Sequence, residues 1–121
     1  MALARGKLDL AMTLVAPLLE ISDDPEYRAT YAEILAACRD SKAAVEAQRA
    51  AVAYERLLAR RPEAYADHAA AFFMGVGNRP QRAAELALAN WKLRSTPRSR
   101  RLLTKALRKV QQVPPLEENV A

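Results

Sequence analysis

Residues 62–94 read PEAYADHAAAFFMGVGNRPQRAAELALANWKLR, and this stretch decides the fold class. It holds two apolar sets at helical rather than alternating spacing: Tyr65, Ala69, Phe72 and Phe73, then Leu86, Ala87 and Trp91. Gly75, Val76, Gly77 and Asn78 interrupt the pattern, and each set follows a proline, Pro62 or Pro80. Proline suits a first helical turn because the N–H it lacks has no acceptor there anyway. Two helices joined by so short a connection must run antiparallel.

The same punctuation recurs outward along the chain. Pro25 and Pro97 mark two further starts, and polar residues that cap helices precede the prolines: Asp23 or Asp24, Asn78 and Thr96. Asp23 and Glu26 have the spacing of a capping box. The pattern predicts six helices. The first covers about residues 3–21, with Leu8, Ala11, Val15 and Leu18 at helical spacing and a kink or break at Pro17. The second covers about 25–38, with Tyr27, Tyr31, Ile34 and Leu35 inward. The third follows Asp40 and Ser41 to about residue 60 and carries Val52, Tyr54, Leu57 and Leu58. The fourth, fifth and sixth cover about 62–74, 79–94 and 97–111. Residues 1–112 therefore read as one helical domain, and 113–121, with Pro114 and Pro115 and no periodicity, as a disordered tail.

Composition agrees with an all-α chain. Alanine, the best helix former, dominates the apolar half, and three glycines in 121 residues leave few tight turns for joining strands. No apolar run approaches the ~18 residues of a membrane span. The N-terminus lacks the charged start and apolar block of a signal peptide. One cysteine, Cys38, forbids an internal disulfide and reads as a small core residue, so a cytoplasmic setting is expected.

Three segments align internally: Tyr31-Ala32 with Leu35, Ala69-Ala70 with Phe73, and Leu103-Thr104 with Leu107. Gly6, Arg39 and Gly77 are each followed, five or six residues on, by Ala11, Ala44 and Ala83. Small residues let two helices cross closely, and large ones fill the space beside the crossing. The pattern resembles the tetratricopeptide repeat, a helix–turn–helix unit of ~34 residues. The resemblance implies an antiparallel helix-pair array, an α–α superhelix, over residues 3–111. It begins inside a repeat, holds two full pairs (25–60 and 62–95) and closes on an unpaired helix. Arg28 and Ala66 stand where the repeat usually has a large residue, and Arg39 stands at the turn glycine.

In that family the first helices of the pairs line a groove that binds peptides or protein segments. By position, the resemblance assigns to it Glu26, Ala29, Glu33 and Ala36, then Ala64, Asp67, Ala71 and Met74, then Arg98, Arg101, Lys105 and Arg108. The chain is thus expected to be a scaffold or adaptor that binds a protein or peptide partner. The first helix has apolar residues on more than one side. It is therefore expected to pack against another chain, as a homodimer through the unpaired terminal helices, or to belong to a longer array.

Charge singles out the last helix without help from the family. Residues 1–91 carry 11 basic and 12 acidic side chains, whereas residues 92–109 carry eight basic and no acidic ones. At 100° per residue, Leu102, Leu103, Ala106, Leu107 and Val110 fall in an arc of roughly 140°, and Arg98, Arg101, Lys105, Arg108 and Lys109 in an opposite arc of roughly 100°. Such a stripe is either a solvated face or a surface for an acidic partner. A nucleic acid is the alternative partner for helix 97–111, weakened because no aromatics interleave with the cations. The partner-binding residues expected are the five cations together with Glu26, Glu33 and Asp67.

No enzymatic constellation is visible. His68 is the single histidine, Asp67 beside it points elsewhere on a helix, and no cysteine pair accompanies them, so neither metal nor cofactor is expected. The Gly75-Val76-Gly77 stretch follows a helix and lacks the Gly-Lys-Ser/Thr ending of a phosphate loop.

Overall fold

A computed structural model describes residues 2–112, with side chains from Gly6 onward. The expected disordered tail, 113–121, lies outside the described residues. Seven helical segments follow in order: α1 (Ala2–Val15), α2 (Leu18–Ile21), α3 (Pro25–Ala37), α4 (Ala43–Arg60), α5 (Pro62–Met74), α6 (Pro80–Leu93) and α7 (Pro97–Gln111). No strand occurs among the described residues, so the fold is all-α. The first predicted helix is two pieces, broken at Pro17, whose missing N–H ends the α1 hydrogen-bond ladder. The starts of α5 and α7 are those the prolines predict, and their ends, Met74 and Gln111, are those of the predicted fourth and sixth helices.

The caps differ in part from expectation. Asp24, not Asp23, caps α3, its carboxylate accepting from the Glu26 N–H at 2.9 Å. Thr96 caps α7 in a complete capping box with Ser99. Asn78 caps nothing: it sits at φ 49 in the turn, and Arg79 precedes α6 without a side-chain bond. Arg39, at φ 56, occupies the left-handed position that ends α3. There its N–H donates to the Ala36 carbonyl at 3.0 Å, and the Asp40 N–H to Leu35 at 2.9 Å. This paired closure is the one glycine usually makes. At Gly77 a Cβ would lie 2.7 Å from the Phe72 ring, so only glycine fits.

The chain divides into two compact units, Met1–Arg60 and Arg61–Ala121, at the boundary between the two predicted pairs. In the first, α3 and α4 pack along their lengths and α1 lies on α3. Ala29, Ala32, Ile34 and Leu35 meet Ala50, Ala51, Tyr54 and Leu58 in its core. Ala29, expected to face a partner, is buried here instead, since α3 packs against both α4 and α1. Val52 turns outward rather than inward.

In the second unit α6 packs on both α5 and α7, and α5 also touches α7. Alanine makes this possible: Ala69, Ala70, Ala83, Ala87 and Ala106 are all fully buried, so the helices approach closely. Phe73 fills the space left over and is 0% exposed, its ring edge-on to Phe72 with centroids 5.0 Å apart. The third aligned segment departs from the first two. Thr104 and Leu107 are exposed, Leu107 at 49%, because within this unit α7 is covered only by α5 and α6.

Candidate partner-binding surface

The candidate surface is built on α7. Ser99 and Ala106 are its buried residues, with Leu102, Leu103 and Val110 half-buried around them. Seating this narrow apolar face turns Arg98, Arg100, Arg101, Lys105, Arg108 and Lys109 to solvent. Ser99 locks the start of the helix. Its hydroxyl accepts from the Thr96 N–H at 2.9 Å and donates to the Arg94 carbonyl, while the Ser99 N–H donates to Thr96 Oγ1 at 3.1 Å. Arg94 ties this junction to α5, donating to the Glu63 carbonyl at 2.6 Å and, more weakly, to Asn90 Oδ1 at 3.4 Å. Hydrogen bonds thus tie the basic helix down at its N-terminal end.

Two grooves flank it. The first, of about 580 Å³, runs along α5 and α7 and is lined by Asp67, His68, Ala71, Met74, Arg98, Arg101 and Lys105, among others. It brings together six of the eight groove positions that the resemblance assigned to the fourth and sixth predicted helices; Ala64 and Arg108 do not line it. His68 Nε2 lies 3.9 Å from Asp67 Oδ1, so the two side chains do approach each other, although too far apart for a hydrogen bond. The second groove, of about 620 Å³, lies at the α6–α7 junction and is lined by Trp91, Pro97, Arg100, Arg101, Thr104, Lys105 and Arg108. Arg101 and Lys105 border both. Lys109 is exposed on the same helix outside the two grooves.

Among the described residues, none of these six cations pairs with a carboxylate. In the first unit one carboxylate is arranged otherwise. Glu46 on α4 is buried and accepts from Arg28 at 2.6 Å and Arg49 at 2.9 Å. A groove of about 680 Å³ there is lined by Asp23 and Asp24 as well as by Arg49, Arg56 and Arg60, so both signs are present. Glu26 and Glu33 are exposed on α3 of this unit.

Helical spacing sets Trp91 with the apolar residues Leu86 and Ala87, yet those two are buried whereas Trp91 is half-buried and lines the basic groove. Hairpin register carried the missing signal. Around the turn at Arg94–Thr96, Trp91 and Arg100 are nearly equidistant from the bend, and an antiparallel pair sets such positions beside each other. Compared with protein-family models, with curated proteins and with solved structures, the chain finds no match. What the surface can do is therefore read from its own geometry: a helix offers cations that have no carboxylate partner among the described residues, beside one aromatic ring.

Proposed function

We propose that this chain is a tetratricopeptide-like interaction module, a scaffold or adaptor that holds an acidic protein segment against α7. The observation that carries the reading is the set of exposed cations with no carboxylate partner among the described residues. Like charges side by side repel by a few tenths of a kcal/mol per neighbouring pair. An acidic segment relieves that repulsion by supplying counter-charges. The groove along α5 and α7 supports the same reading, since Ala71 and Met74 give it an apolar floor beside Arg98, Arg101 and Lys105.

The test is capture of partners at moderate salt by the wild-type chain and by a variant with Arg98, Arg101, Lys105 and Arg108 changed to Ala. All four are exposed, so the helical circular dichroism is expected to be unchanged. A protein partner lost with the variant supports the reading. Recovery of nuclease-sensitive nucleic acid with no protein partner, retained on DNA in a steeply salt-dependent way, overturns it in favour of a nucleic-acid-binding domain.

A second contact has its own support. Leu10, Leu14 and Ile21, on α1 and α2, are 61%, 64% and 79% exposed. We propose a homotypic contact there, for which sedimentation of Leu10→Gln with Leu14→Gln should show a shift toward monomer. A wild-type chain that stays monomeric at every concentration removes this contact from the proposal.

A further inference from the structure

We infer that the Trp91 groove is an anchor site: it seats an apolar or aromatic side chain of an acidic protein segment, while Arg100, Arg101, Lys105 and Arg108 hold the carboxylates on either side. This rests on the reading of α7 as a surface for acidic segments and adds a second requirement on the ligand, which charge alone does not impose.

The composition of the groove carries the inference. Trp91 shows part of its ring, and its indole N–H has no partner among the described residues. Buried tryptophans usually satisfy that N–H, so a half-buried ring with a free donor suits a ligand with both an apolar face and an acceptor. Pro97 and Thr104 line the same space, and neither brings a charge. Around them stand three arginines and one lysine. Guanidinium groups bind carboxylates with two parallel hydrogen bonds and stack on flat groups, which a lysine cannot do. Tryptophan and arginine together, in a concave site, are the residues that most often dominate binding energy at protein interfaces.

A single-stranded nucleic acid fits less well. Successive bases need successive aromatic platforms, and Trp91 is the one aromatic residue in this groove. The adjoining groove, which shares Arg101 and Lys105, also places the Asp67 carboxylate along the other flank of α7, where it repels a phosphate backbone.

Trp91 is the chain's only tryptophan, so its emission reports on this groove alone. The probes are two synthetic peptides of equal length and charge, rich in Glu and Asp, one with a central Leu-Phe pair and the other with Ser-Ser in its place. They are titrated into the full chain with emission and calorimetry as readouts, and oligo(dT) is titrated in parallel. The anchored peptide is expected to shift the Trp91 emission and to bind at least about tenfold more tightly than its Ser-Ser counterpart. Trp91→Ala should remove that difference. Trp91→Phe, which keeps an apolar ring and guards against a folding defect, should retain most of it. Arg100→Glu should weaken both peptides by about tenfold.

Equal affinity of the two peptides for the wild-type chain, with emission unmoved, overturns the anchor site and leaves α7 as a surface for acidic segments. Failure of both peptides to bind overturns both readings. Tighter binding of oligo(dT), with quenching of Trp91, does the same in favour of nucleic acid.

Discussion

A buried carboxylate in the first unit and the basic helix of the second use charge in opposite ways. In Met1–Arg60 the chain turns a carboxylate inward and closes two arginines on it: Glu46 is 8% exposed and bonded to Arg28 and Arg49. In Arg61–Ala121 the chain turns its densest cations outward, along a helix with no acidic residue of its own. A buried charge needs its partners, because leaving it alone in a poorly polarisable interior is costly. An exposed cation is hydrated and can wait for a partner from outside. The difference teaches where to look: a charge satisfied within its own unit is part of that unit's structure, and one without a carboxylate partner among the described residues is open to the solvent or to a partner.

The largest effect expected is on the apolar core that both units share in kind. Phe73→Ala removes a fully buried ring and should destabilise the second unit by roughly 3–5 kcal/mol, measured by urea unfolding followed through Trp91 emission. Arg28→Ala probes the charge network of the first unit. It leaves Glu46 with one of its two partners and should cost about 2 kcal/mol, read from circular dichroism, which follows both units. Thr96→Ala breaks the capping box at the start of α7 and should cost about 1 kcal/mol by the same emission measurement.

Arg39→Gly relieves a left-handed backbone and should stabilise the first unit by roughly 0.5–1 kcal/mol, part of the gain being lost to the freer unfolded chain. The smallest effect is the one that tests the comparison most directly. Arg101→Ala with Lys105→Ala removes two cations from α7 and should raise stability by a few tenths of a kcal/mol at low salt. If that pair instead destabilised as much as Arg28→Ala does, the outward cations would be structural and the contrast between the units would fail.

Several features were legible residue by residue. The prolines gave the starts of α3, α5 and α7, because a residue without an N–H fits nowhere in a helix better than its first turn. The alanine positions Ala32, Ala69, Ala70, Ala83 and Ala106 are all fully buried, as close helix crossings require, whereas Ala11 is half-buried and Ala44 exposed. The basic arc of α7 is exposed where the 100° rotation places it. The pairing of Glu46 with Arg28 was not legible. The two are 18 residues apart on different helices, and nothing in either helix by itself selects that contact. The turn positions were also misassigned: Asn78 looks like a cap ahead of Pro80, yet its φ of 49 spends it on reversing the chain.

The sequence by itself determined that this protein is helical, where most helices start and which one carries a basic stripe, since these follow from period, proline and charge along a single segment. The tertiary structure alone decided which charges pair among the described residues and that Trp91 stands beside cations that do not. Those outcomes depend on how one helix turns about its axis against its neighbour. That rotation is set by the alanines and phenylalanines packed between the helices, and the residues facing solvent do not reveal it.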